Sequence, residues 1–266
     1  MKKVALSVSY NGAPYHGWQY QKENVQTVQG LLEDALSKIA NSPIRVGCAG
    51  RTDAGVHATN QIVEFSTNSD RDMEAWVYGT NSNLPESISV NCGALVPNSF
   101  SARHSAFSRR YLYVIYNSPI RSALLPEYLY REHRQLDHEK MHEAAQFLVG
   151  EKDFTSFRAS KCQSSTAMRN VLSVRVSREC DLVLVDITAN AFLLHMVRNI
   201  VGVLLDVGAG EKPISWPRVL LTFKDRTKAS KTAPPNGLFL VGVRYETAIH
   251  IDMPDLVWPH FLGLQH

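Results

Sequence analysis

Residues 4 to 10, VALSVSY, alternate apolar and polar side chains, the two-residue period of a strand with one covered face. From Val28 the period changes. Val28, Leu31, Leu32, Ala35, Leu36 and Ile39 recur at helical spacing, and Thr27 just ahead of them reads as an N-cap. The chain therefore opens as strand, loop, helix. IRVGCA and NQIVEFST read as two further strands, and residues 49 to 58, AGRTDAGVHA, form the connection between them. A short helical stretch near EAWVYGTNSNL and a strand, ISVNCGALV, follow. A basic segment, SARHSAFSRR, then leads into the strand YLYVIYN and a Pro-containing polar stretch, SPIRSALLPEY. The second half repeats this grammar with a helix around HEKMHEAAQFLVG, strands NVLSVRVSRE and LVLVDITA, a helix over FLLHMVRNIVGVLLDVG, and a last strand, GLFLVGVRY. Antiparallel strands grouped this way fit an α+β fold of two similar halves better than alternating parallel βαβ units. The expected domains are residues 1–105 and 106–266.

Composition narrows the picture without deciding it. With 266 residues and 44% hydrophobic side chains the chain can bury a real core, and a formal net charge of +3 permits a polyanionic partner without requiring one. Cys48, Cys92, Cys162 and Cys180 lie far apart with no C-x-x-C pair, which argues against a structural zinc site and a disulfide framework. The first residues, MKKVALSVSY, lack a signal peptide's apolar core, and no charge-free apolar run reaches about 18 residues. The expectation is a cytoplasmic protein without a membrane segment.

Three places in the sequence can carry chemistry. Asp53 stands in a D-x-G sequence between strands, a pattern that commonly just turns the chain. Arg198 lies within a helix expected to be apolar nearly all round, and a buried guanidinium costs several kcal/mol unless an anion meets it. A carboxylate partner is expected, Asp53 being one candidate, unless the long stem carries the charge to the surface or the guanidinium caps a neighbouring helix. His195, three residues earlier, would share a helical face with Arg198, as a hydrogen-bonded core residue more readily than as a ligand. Asp53 and His57 are four apart, but their loop setting and the missing third ligand speak against a metal. SARHSAFSRRYLY gathers Arg103, His104, Arg109 and Arg110 beside Tyr111 and Tyr113, cations and rings of the kind that meet phosphates and unpaired bases, although an ordinary solvated strand end carries the same residues. KDRTKASK, with Lys224, Arg226, Lys228 and Lys231, reads as a solvated charge run.

GRTDAGVHA, together with YHGWQYQ, FSARHSAFSRRYLY, DFTSFRA, ANAFLLHMVRNIVG and GLFLVGV, resembles the TruA-type tRNA pseudouridine synthases over nearly the whole chain. One departure is Asn11, where the family more often carries aspartate; His104 is another. The resemblance implies an enzyme that isomerises uridine to pseudouridine at positions 38, 39 and 40 of the tRNA anticodon arm. It also implies a homodimer whose two RNP/ferredoxin-like α+β domains flank a basic cleft, with no cofactor and no metal. By the same resemblance Asp53 is the catalytic nucleophile and Arg198 its ion-pair partner, holding the carboxylate ionised. Tyr111 stacks on the target uracil near C5, and Leu238 packs on its other side. Arg51 fills the space left when the base is extruded, a step that costs a few kcal/mol. Two segments would contact tRNA: Phe100, Ser101, Ala102, Arg103 and His104, and Lys161, Cys162, Gln163, Ser164 and Ser165. A non-catalytic RNA-binding module and a nucleosidase using the same carboxylate are the competing classes, separated by whether pseudouridine or free uracil is formed.

Overall fold

The structure is a computed structural model that describes residues 1–22, 25–124, 126–246 and 253–263. It divides into two compact units, Met1–Arg109 with Phe239–His266, and Arg110–Leu238. The sequence pattern places everything after residue 105 in the second domain. In the structure the chain returns to the first unit at Phe239, and the break falls at Arg109.

In the first unit, β1 (Lys2–Tyr10), β3 (His57–Thr67), β4 (Ile88–Val96) and β10 (Leu238–Tyr245) stand in the order β4-β1-β3-β10, and the two-residue β2 (Gly47–Cys48) also pairs with β3. The alternation seen in the sequence sets the register: Val4, Leu6 and Val8 of β1 face Phe65, Val63 and Gln61 of β3. A bulge between Val8 and Tyr10 shifts that register and re-aims Tyr10 at the end of the strand. α1 (Val28–Ala40) begins where the sequence predicts, with the Thr27 hydroxyl accepting the Gly30 N–H. It buries Val28, Leu32, Ala35, Leu36 and Ala40. The short helical stretch over Ala75–Gly79 is a single π-type turn.

The second unit contains β5 (Ala106–Asn117, from Arg110 on), β6 (Tyr130–Glu132), α2 (His138–Gln146), β7 (Gly150–Asp153), β8 (Met168–Glu179), β9 (Leu182–Ala189), α3 (Met196–Gly208) and α4 (Trp216–Phe223). Its sheet runs β5-β9-β8-β7, with β6 beside β5. The sheets pair mainly antiparallel, as the sequence suggests, with two parallel exceptions among the described residues. β10 pairs with β3 in parallel, and so does β6 with β5, because in each pair the chain comes back by a crossover instead of a hairpin. α3 is buried nearly all round, as its apolar composition requires. Gly208 lets it approach α2: a Cβ there would lie 2.6 Å from the Met141 sulfur. Among the described residues no helix is long and apolar enough to cross a membrane, and all four cysteines are free thiols.

Candidate active site

The loop carrying Asp53 is fixed on both sides by the segment that follows β1. Ahead of it, the Thr52 hydroxyl pairs with the Tyr10 hydroxyl at 2.8 Å, and the Trp18 N–H donates to the Thr52 carbonyl at 3.0 Å. Gly17, at φ +87°, comes so close that a Cβ would sit 3.0 Å from that same carbonyl. Behind it, the Gly12 N–H donates to His57 Nδ1 at 3.0 Å, and a Cβ on Gly12 would lie 2.0 Å from the Val56 carbonyl oxygen. Asp53 itself accepts the Val56 N–H on its main-chain carbonyl at 3.1 Å, closing a turn that Gly55 completes at φ +76°. The D-x-G sequence thus does turn the chain. Its half-buried carboxylate sits on a backbone with little freedom to move.

His57 is buried, stacks on Phe239 with ring centroids 4.8 Å apart, and uses Nδ1 as an acceptor. Through that bond it holds the loop. Among the described residues no group of three or more His, Cys, Asp or Glu is placed to hold a metal ion. Asn11, where aspartate was the family expectation, accepts the Ala13 N–H on its amide oxygen at 3.0 Å, a bond a carboxylate would make equally well.

Arg51 is exposed beside Asp53, and Arg103 and His104 are exposed on the 100–104 loop. Desolvation pushes the Cys48 thiol up to about 12, against the pull of Arg51 and Arg103, so both guanidinium groups lie within electrostatic reach of Cys48. Phe100 and Ala102 are buried: Phe100 packs on Tyr245 at 5.0 Å, and Ala102 receives the Tyr245 hydroxyl on its carbonyl while its N–H meets Glu64 Oε2 at 2.8 Å. Burial leaves these two to shape the loop whose exposed members are Arg103 and His104.

The cation cluster expected from SARHSAFSRRYLY is therefore smaller than the sequence suggests. Arg109 is buried among backbone carbonyls, Arg110 is paired with Asp186 through Nε and Nη2 at 2.8 and 2.5 Å, and Tyr113 is fully buried with its hydroxyl on the Pro234 carbonyl. The strand period places Arg109, Tyr111 and Tyr113 on one covered face.

Tyr111, Leu238, Arg198 and the 161–165 segment lie in the second unit. Tyr111 is 8% and Leu238 5% exposed, and Phe192 meets the Tyr111 ring edge-on at 5.1 Å, 86°. Two expectations about the arginine helix are overturned. Phe192 to Leu194 precede α3, and His195 is its N-cap at φ +62°, outside the regular helix. Arg198 is consequently in the first turn and half-buried, which lowers the cost of its charge. Its Nε donates to the Ala233 carbonyl at 2.8 Å, and Ala233 N–H returns to the Arg198 carbonyl at 3.1 Å, fixing the direction of the guanidinium. Next to it, the buried Asn199 bonds Phe157 O, Arg226 Nη2 and the Thr232 hydroxyl at 2.8, 3.0 and 2.7 Å. Arg226 thus leaves the solvated charge run expected of it, and Lys224 pairs with Asp153 at 3.1 Å.

Lys161, Gln163 and Ser165 are exposed, and Cys162 and Ser164 are half-buried. Arg158 shapes this loop by donating to the Cys162 and Ser164 carbonyls at 2.9 and 2.5 Å. Burial raises the Cys162 thiol, but the Leu194 and Ser164 N–H groups and Arg158 outweigh it and leave the thiol below its ordinary range.

The sequence profile of the tRNA pseudouridine synthase family matches residues 6–104 and 144–246. The chain belongs to this family. It is thus a pseudouridine synthase, an isomerase acting in tRNA modification. The synthase is 56% identical over 254 residues to the tRNA pseudouridine synthase A of Glaesserella parasuis serovar 5 (strain SH0165), covering 96% of this chain and 97% of that one. It is 56% identical over 243 residues to the protein of the same name from Shewanella sp. (strain MR-4), covering 91% and 93%. The figure is 51% over 262 residues for that of Histophilus somni (strain 2336), covering 98% and 96%. The synthase also matches the crystal structure of the archaeal box H/ACA sRNP Nop10-Cbf5 complex, with a TM-score of 0.36 and 11% identity over 76% of this chain and 44% of that chain, too slight a likeness to extend the argument.

Proposed function

We propose that this synthase isomerises uridines 38, 39 and 40 of the tRNA anticodon stem-loop, as a cytoplasmic homodimer. The observation that carries the reading is the nine-residue motif GRTDAGVHA, folded as a loop that holds the half-buried Asp53 against rigid backbone with the exposed Arg51 two residues before it. Asp53 is the nucleophile, acting on the ribose or the base while the bond between C1′ and N1 breaks and the one to C5 forms. Arg198 pairs with it and keeps it ionised. Tyr111 and Leu238 hold the extruded uracil between an aromatic and an apolar face, and Arg51 takes its place in the stem, where a flat guanidinium stacks and hydrogen-bonds together. The exposed residues of the loops 100–104 and 161–165, above all Arg103 and Lys161, meet the backbone phosphates.

The test is incubation with unmodified tRNA carrying tritium at uracil C5, followed by mapping of pseudouridine. Tritium release at positions 38 to 40 that vanishes in Asp53→Ala, with tRNA affinity kept within about tenfold, is the expected result. Modification elsewhere in the tRNA, or release that persists in Asp53→Ala, would overturn the reading.

A further inference from the structure

Arg109 is the last residue of the first unit and only 8% exposed. A guanidinium taken out of water is tolerated where its donors are met, and here backbone carbonyls meet them. Nε and Nη2 donate to the Ala49 carbonyl at 3.2 and 3.1 Å, Nη1 donates to the Ala106 carbonyl at 3.0 Å, and Nη2 also donates to the Arg103 carbonyl. Ala49 lies four residues before Asp53, where the catalytic loop leaves the sheet, and its own N–H is held by the Ile62 carbonyl at 2.8 Å. Arg103 belongs to the loop with the exposed cations. That loop is pinned at its other members as well: Lys3 Nζ donates to the Phe100 carbonyl at 2.6 Å, and Ala102 is held by Glu64 and Tyr245.

We propose that Arg109 is a positioning residue that joins the Asp53 loop and the 100–106 loop into one rigid piece, so that RNA phosphates docked on Arg103 and His104 arrive in register with Asp53. The planar fork is what the task needs, since one side chain must reach three carbonyls in fixed directions. A residue in this role touches neither phosphate nor base. The inference rests on the pseudouridine-forming reading above and goes beyond it by separating docking from alignment.

The full chain carrying Arg109→Met, which keeps the volume and removes every donor, is compared with Arg109→Lys, which keeps a charge but can reach fewer carbonyls. The single-turnover rate of pseudouridine formation at saturating tRNA should fall roughly 10- to 100-fold in Arg109→Met, the scale of loss that a small misplacement of reacting groups produces. Arg109→Lys should recover part of it. The tRNA affinity should stay within about threefold, and its salt dependence should not change. A salt slope lower by about 0.7 to 0.9 with the saturated rate retained would mark Arg109 as a phosphate contact and overturn the proposal. An unchanged saturated rate with a lowered melting temperature would reduce it to a structural staple. Amide exchange supplies a readout independent of activity: protection at residues 49–53 and 101–105 should fall together in Arg109→Met, and unchanged protection would overturn the coupling. Failure of the wild type to form pseudouridine would instead strike the proposed function, and the exchange measurement would still decide the coupling.

Discussion

The hydroxyls of Tyr10 and Thr52, 2.8 Å apart and buried, fix the residue immediately before the candidate nucleophile. Thr52→Val keeps the shape and removes the bond, leaving the Tyr10 hydroxyl without this partner, so it should cost about 1–3 kcal/mol of stability. Tyr10→Phe on the same background should restore part of that loss, because the stranded hydroxyl goes too. Urea unfolding of the two single variants and the double variant measures the coupling, and strictly additive effects would show that the pair is not an energetic unit. At this scale the turn at Asp53 is legible, since D-x-G names the residues that close it. Arg109 and Tyr113 are not: a cation or a ring at the start of a strand looks the same in sequence whether the sheet covers it or leaves it in water. Only the partners across space, here Ala49, Arg103 and Pro234, separate the two outcomes.

At the scale of elements, α1 was readable because cap and period agree, whereas α3 was misjudged at its start. Phe192 to Leu194 continue the apolar run of the helix without forming part of it, and an apolar segment outside a helix cannot be told from the helix by periodicity. The left-handed His195 sets the boundary, and with it the position of Arg198 in the first turn. What then orients Arg198 is the 231–233 segment, to which α3 comes very close: a Cβ on Gly202 would stand 2.0 Å from the Lys231 carbonyl oxygen. Gly202→Ala, which on helix propensity alone should stabilise by up to about 1 kcal/mol, is therefore expected to destabilise by about 1–3 kcal/mol. Because Ala233 holds the Arg198 guanidinium, the displaced segment should also lower the rate of pseudouridine formation. A thermal melt and a single-turnover assay check both effects, and a Gly202→Ala variant as stable and as active as the wild type would refute the account.

At the scale of the whole chain, the α+β class and the order of elements follow from local pattern, but the path does not. GLFLVGVRY reads as a strand, yet nothing in its own residues says that it pairs in parallel with β3 through Phe239↔His57 and Leu240↔Ala58. The choice of partner depends on the closing of a loop of well over a hundred residues, which no local period records. The return strand also brings the C-terminal residues onto the first unit. The Asn60 amide donates to the Pro254 carbonyl at 2.7 Å, the Thr59 hydroxyl donates to the Val257 carbonyl, and Gly242 bridges Leu256. Asn60 is fully buried and also accepts the Ser7 hydroxyl, so it links the C-terminal residues to the centre of the β1-β3 pair. Removal of the residues after 252 should therefore leave a buried amide without its acceptor, at a cost of about 1–3 kcal/mol for that group alone. The loss should appear as reduced amide protection across β1 and β3, two strands before the Asp53 loop and just after it, with α3 of the second unit protected as before. Equal loss in both units would mean that they unfold as one, and full protection in both would mean that the C-terminal residues rest on the first unit without stabilising it.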